Sequence, residues 1–168
     1  PHVAHIHQLV QQYSEHGDAV VIVGEADHPE VVGIAGWANG PVFILPNAEA
    51  AELADLPQKA LVVAQTTIRR DRFDSVLQVL RRRVPDLTER ITICAATSQR
   101  QQEAEKLSGE ADVMVVVGGK NSSNTQKLLE TCRLRCARSI LVETPEDVPA
   151  HLAGPEDRVA LTAGASTP

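Results

Sequence analysis

The chain has 168 residues, enough for one full α/β domain or two small ones, and 43% of them are hydrophobic, which argues against disorder. A formal charge of −6 and a pI near 5.5 argue against nucleic-acid binding. Three cysteines make no disulfide framework, no apolar run approaches the ~18 residues of a membrane span, and no secretory signal is visible, so we expect a cytoplasmic protein with reduced thiols and no membrane contact.

Aromatics make up only 2%, so the core is expected to be aliphatic, as parallel sheets usually are. In chain order, a helical pattern over 5–16 leads to a β-branched strand at 19–23. A strand at 42–45 and a short helix at 48–54 follow. A third strand at 61–64 precedes a helix at 71–83, in which Phe73, Val76, Leu77 and Leu80 mark one buried face. The run Arg81-Arg82-Arg83 at its end suits the negative end of the helix macrodipole. The second half repeats the alternation, with strands at 91–95, 113–117, 140–143 and 159–161 and helices at 98–109 and 124–136. Such alternation predicts an α/β fold of mainly parallel sheets with helices packed on them and right-handed crossovers. The stretch 84–90, with its Pro and Asp, is the expected seam between units at 1–89 and 90–168. Strands followed by Gly and polar residues in both halves hint at an internal repeat.

Ligands of open parallel sheets bind outside the carboxyl ends of the strands, so the residues after each strand are the informative ones. They read Gly24-Glu25-Ala26-Asp27-His28-Pro29-Glu30, Gln65-Thr66-Thr67, Cys94-Ala95-Ala96-Thr97-Ser98, Gly118-Gly119-Lys120-Asn121-Ser122-Ser123-Asn124 and Thr162-Ala163-Gly164-Ala165-Ser166. Two glycines followed by hydroxyls at a helix start make Gly118–Asn124 an expected anion site, although one of its polar residues is also needed as a helix cap. It is not a P-loop, since Gly-x-x-x-x-Gly-Lys-Ser/Thr is absent. His28-Pro29-Glu30 pairs a phosphate donor with a carboxylate at another helix start. A Glu beside a Thr such as Thr66 suits proton transfer. Taken alone, Cys94, Cys132 and Cys136 are expected to be packing residues, and one thiol cannot hold an iron–sulfur cluster. His2, His5 and His7 are not spaced to share one helix face, which argues against a metal site there.

Five segments in order resemble the hydroxymethylbutenyl diphosphate reductases, the LytB/IspH family, along essentially the whole chain. They are Gly-x-x-x-His-Pro-Glu-Val from Gly24 with the following Gly-x-x-Gly-Trp, Gln-Thr-Thr from Gln65, Ile-Cys-x-Ala-Thr-x-x-Arg-Gln from Ile93, Val-Val-Gly-x-Lys-Asn-Ser-Ser-Asn from Val116, and Thr-Ala-Gly-Ala-Ser from Thr162. The resemblance implies two similar three-layer units, two lobes of a three-lobed trefoil. It implies an iron–sulfur oxidoreductase of the non-mevalonate isoprenoid pathway. That enzyme reductively dehydroxylates 4-hydroxy-3-methylbut-2-enyl diphosphate to isopentenyl and dimethylallyl diphosphate, with ferredoxin or flavodoxin as electron donor. Residue by residue it makes Cys94 one of three cysteine ligands of a 4Fe–4S cluster, Glu30 the proton donor and Thr66 its helper and a substrate contact. His28, Ser122, Ser123, Asn124 and Ser166 become holders of the diphosphate. Cys132 and Cys136 match nothing functional, while Gly119 stands where Ser is usual and Ala95 where Tyr is common. Pro1 matches the second residue of a Cys-Pro pair. The other cluster cysteines, a first unit and a C-terminal tail are therefore expected outside this chain, and the chain alone is expected to be inactive. The rival expectations are a cluster-less domain of the same family that only binds a phosphorylated ligand, and a sugar-phosphate or nucleotide-binding module.

Overall fold

A computed structural model describes residues 2–165, whose strands form two separate, wholly parallel sheets. The chain divides into two compact units, Pro1–Cys94 and Ala95–Pro168.

The first unit runs α1 (His2–Glu15), β1 (Ala19–Val23), α2 (Pro29–Ala35), β2 (Val42–Leu45), α3 (Ala48–Leu53), β3 (Lys59–Ala64), α4 (Arg70–Arg83) and β4 (Asp86–Glu89), with strand order β2-β1-β3-β4. β1 and β3 lie inside the sheet and are buried on both faces, which is why they read as unbroken aliphatic runs. Alternate residues of these strands serve opposite faces. Val20, Ile22, Leu61 and Val63 pack with Ile6 and Val10 of α1 and Val31 and Ile34 of α2. Val21, Val23, Val62 and Ala64 pack with Ala51 of α3 and Phe73, Val76, Leu77 and Leu80 of α4. The unit is thus helix–sheet–helix. Loops leaving β1 and β3 must turn to opposite faces, which is where ligands of open parallel sheets bind.

The arginine run does more than face a dipole. Arg83 donates to the carbonyls of Ala51 at 2.6 Å, Glu52 at 2.6 Å and Ala54 at 2.9 Å, satisfying acceptors left open at the end of α3. Arg81 forks onto Glu89 at 2.7 and 2.8 Å, and Arg82 reaches Glu52 at 2.6 Å.

The strand expected at 91–95 is displaced. The ladder beside β3 is made by Asp86–Glu89 within the expected seam, and residues 91–94 run on beyond the strand. A polar four-residue edge strand carries no apolar alternation to betray it. The short helix α2 is legible from sequence only by its start at Pro29; its buried residues are Val31 and Ile34.

The second unit runs α5 (Ala95–Glu110), β5 (Val113–Val117), α6 (Ser123–Arg133), β6 (Ser139–Val142), a 3-10 turn (Pro145–Asp147) and β7 (Val159–Ala163), with strand order β6-β5-β7. Ala104 of α5 and Leu128, Leu129 and Cys132 of α6 pack on Met114 and Val116. α6 ends at Arg133, short of the expected 136, so Cys136 lies beyond the helix; it joins this cluster, and both cysteines are core residues. On β7, Val159 and Leu161 remain 52% and 64% exposed, which leaves one face of that edge strand uncovered in this unit.

The two sheets share one plan. β1 and β5 are each flanked by the next two strands of their unit, and equivalent bonds recur at their ends. Gly24 N–H donates to Leu45 and Gly118 N–H to Val142, while Gln65 N–H donates to Val23 and Gly164 N–H to Val117. His28 and Ser122 stand four residues after these glycines and cap α2 and α6, and Glu30 and Asn124 stand six after. The repeat hinted at by composition is present bond by bond.

Candidate active site

In the first unit the loops after β1 and β3 bring together residues far apart in sequence. Pro29 opens α2 at a position that needs no N–H, and Glu30 follows it in the first turn, where a carboxylate suits the dipole. From there Glu30 reaches the end of β3, 36 residues on. Its Oε1 accepts the backbone N–H of Thr66 at 2.7 Å and its Oε2 accepts the Thr66 hydroxyl at 2.8 Å. The carboxylate is thus fixed by a two-point grip with charge-assisted character.

His28 is set by the helix it caps. Its Nδ1 accepts the N–H of Glu30 at 3.2 Å, so in the neutral imidazole the proton sits on Nε2. The ring therefore offers a donor on the side away from the helix. Cys94 enters from the segment after β4: its N–H donates to the carbonyl of Thr66 at 3.0 Å, and it is partly exposed. Thr66 is the joint, holding Glu30 through its N–H and hydroxyl and Cys94 through its C=O.

Two further residues shape this site and drew no role from sequence reasoning. Gln65 is fully buried, accepts from Glu25 N–H at 3.1 Å and donates to the Thr67 hydroxyl at 3.0 Å, tying the two loops together. Room for it depends on Gly24, where a Cβ would lie 2.7 Å from Val31 Cγ2 and 3.0 Å from both Cβ and Oε1 of Gln65. Thr92, 4% exposed, bonds Ala64 twice through its hydroxyl.

In the second unit the loop Gly118–Asn124 is shaped by Gly118, whose φ of 148° suits glycine alone. Gly119 has ordinary space around it, the nearest atoms to an added Cβ being 3.8 and 3.9 Å away, so a side chain as small as Ser fits there. Lys120 is committed to the neighbouring loop: its N–H donates to Glu143 at 2.7 Å, and its ammonium lies 3.7 Å from Glu143 and 3.5 Å from Asp147. Bonds from the N–H groups of Glu143 and Thr144, with Lys120 beside them, hold the Asp147 carboxyl below its ordinary range. Ser122 caps α6, accepting from Thr125 N–H at 3.4 Å. Ser123 and Asn124 begin the helix, and Asn124 Nδ2 is buried with no hydrogen-bond partner. So capping and a donor-rich helix start coexist, with Ser122 in the first role. Ser166 lies outside the described residues.

Among the described residues no group of three or more His, Cys, Asp or Glu side chains converges as a metal site, and none of Cys94, Cys132 and Cys136 is in a disulfide. No helix of the described residues is long and apolar enough to cross a membrane.

The family model described as LytB protein matches residues 1–168. A 4-hydroxy-3-methylbut-2-enyl diphosphate reductase of Clostridium tetani is 42% identical over all of this chain and 26% of its own length. That of Caldanaerobacter subterraneus subsp. tengcongensis is 39% identical over all of this chain and 58% of its own length. A solved structure of E-1-hydroxy-2-methyl-but-2-enyl-4-diphosphate reductase from Plasmodium falciparum superposes with a TM-score of 0.92 at 29% identity, over all of this chain and 54% of that one. The chain therefore spans only part of the relatives it resembles, 26% and 58% of the two curated ones. With its whole length matched and its parallel α/β fold shared with a solved relative, the chain belongs to the LytB protein family.

Proposed function

We propose that this chain is part of a cytoplasmic 4-hydroxy-3-methylbut-2-enyl diphosphate reductase, contributing two of the three lobes of a trefoil, with units at about 1–89 and 90–168. The observation that carries the proposal is the Glu30–Thr66–Cys94 arrangement, in which one threonine holds a carboxylate through its N–H and hydroxyl and the backbone of a cysteine through its C=O. The reaction removes the allylic hydroxyl: the C–O bond breaks, two electrons and two protons are taken up, and water leaves with one hydrocarbon C–H formed.

Glu30 delivers the proton to the departing oxygen, and Thr66 orients it and touches the substrate hydroxyl. A carboxylate with both oxygens engaged by one residue cannot rotate away from its target. His28 donates from Nε2 to the diphosphate. Ser122, Ser123, Asn124 and Ser166 complete its binding, using hydroxyls, an amide and the start of α6. A 4Fe–4S cluster, fed by ferredoxin or flavodoxin, supplies the two electrons and a Lewis-acidic iron when bound. Cys94 fits one ligand position of such a cluster, since it is partly exposed, in no disulfide, and anchored to Thr66 through its backbone. One thiolate holds no cluster, so the remaining ligands come from elsewhere in the longer protein, and this chain alone does not turn over.

The test is Glu30→Gln in the full-length protein after anaerobic reconstitution with iron and sulfide. We expect turnover to fall by about 10²–10⁴, the usual contribution of a positioned general acid, while the cluster's visible absorption stays. Wild-type turnover in that variant would overturn the role of Glu30. A wild-type protein that binds the diphosphate yet assembles no cluster would establish a ligand-binding domain instead of a reductase.

A further inference from the structure

The ladder between β3 and β4 ends at the pair Val62–Glu89, yet the register continues past it. Arg90 N–H donates to Val62 C=O at 3.0 Å, and Cys94 N–H donates to Thr66 C=O at 3.0 Å, each pair separated by 28 residues. Between them the same separation is kept by a side chain. Ala64 N–H donates to Thr92 Oγ1 at 2.8 Å, and that hydroxyl donates to Ala64 C=O at 2.6 Å. One hydroxyl, acting as acceptor and donor at once, satisfies both polar groups of a buried β3 residue where a neighbouring strand would have done so.

We propose that Thr92 is a positioning residue, a side-chain rung that carries the β3 register beyond the end of β4 and so fixes Cys94 against Thr66. The inference deepens the reading of Cys94 as a cluster ligand and rests on it for its functional meaning. Without the rung, the segment after Arg90 keeps the hydrogen bond from the Cys94 amide to Thr66 and the core packing of Ile93, but loses the two bonds that tie Thr92 to Ala64, and with them the register that leads into Cys94. Serine retains the donor–acceptor pair; valine keeps the shape but strips both bonds from Ala64.

The test uses amide hydrogen exchange on the full-length, metal-free protein, compared among wild type, Thr92→Val and Thr92→Ser. Loss of the rung is expected to raise exchange at the Cys94 amide about tenfold in Thr92→Val, the effect of losing one ordinary hydrogen bond's worth of protection. Amides of Leu61–Val63 should stay within about twofold, and Thr92→Ser should match wild type at Cys94. In the reconstituted protein, Thr92→Val should lose its cluster to a chelator faster than Thr92→Ser does. Unchanged Cys94 exchange in Thr92→Val, or equal loosening in Thr92→Ser, overturns the proposal. Should Thr92→Val fail to fold, Thr92→Ala takes its place, since it admits water to Ala64 and must show the same local loosening. Exchange as expected in a protein that assembles no cluster would refute the reductase reading and leave the rung standing.

Discussion

If Glu30 and Thr66 form the two-point grip in solution, their side chains must be energetically coupled, and a double-mutant cycle measures that coupling. Thr66→Val deletes the hydroxyl that donates to Oε2 at 2.8 Å but keeps the backbone N–H that donates to Oε1 at 2.7 Å. Glu30→Gln keeps the length and one acceptor oxygen while removing the charge. Thr66 is 9% exposed, so its hydroxyl gives up most of its water to make the bond. A hydrogen bond to a charged acceptor contributes about 1.5–3 kcal/mol, and Glu30 is half-exposed, which places the expected coupling near the lower end, about 1–2 kcal/mol. The assay is urea unfolding of the wild type, both single variants and the double variant, read as the non-additive part of their stabilities. Coupling below about 0.3 kcal/mol would refute the grip, since that is the scatter expected of independent sites.

Two other perturbations test the packing on which the site rests. Gly24→Ala places a methyl 2.7 Å from Val31 Cγ2 and 3.0 Å from Gln65, so unfolding in urea should show a loss of about 1–3 kcal/mol, the usual cost of overpacking. Burial, with a smaller contribution from Cys136, pushes the Cys132 thiol up to about 11. A thiol whose acidity is weaker folded than unfolded contributes stability that is complete below its unfolded value of ~8.5 and lost as pH rises toward that folded value. Melting temperatures measured from pH 8 to 11 should therefore fall less steeply in Cys132→Ala than in wild type; parallel slopes would contradict the assignment.

The fold was legible where burial writes a pattern. β1 and β5 occupy 19–23 and 113–117 as expected, because inner strands of a parallel sheet must be short aliphatic runs, and β2 occupies 42–45 because it is apolar although it lies at an edge. The polar edge strand β4 was not legible. Asp86-Leu87-Thr88-Glu89 reads as a loop because an edge strand needs only one partner and tolerates charge. Ile91-Thr92-Ile93-Cys94 reads as a strand although it pairs through a hydroxyl. The candidate site residues were chosen as polar groups after strands, since that is where a parallel sheet exposes backbone ends. Their partnerships were not legible. Glu30 meets Thr66 across 36 residues because β3 lies beside β1, and no local pattern encodes strand order. The same holds for Arg83, whose bonds to α3 carbonyls follow from α3 and α4 sharing a face of the sheet.

The repeated plan of the two units explains why such different groups occupy matching places. Position six after the turn glycine is Glu30 in one unit and Asn124 in the other, and position four is His28 or Ser122; both pairs sit at the start of a helix. Opposite them, the second residue past the partner strand is Thr66 in the first unit and Ala165 in the second. Where the threonine is present, the helix residue is an acid and is gripped by it. Where it is replaced by alanine, the helix residue is an amide whose buried nitrogen has no bond of its own. A helix start with Ser and Asn favours a negative ligand, whereas the same backbone with Glu and a fixing Thr holds a negative side chain of its own in that place. On the function proposed above, one loop plan thus serves twice, once to receive the charge of the diphosphate and once to place the carboxylate that passes on a proton.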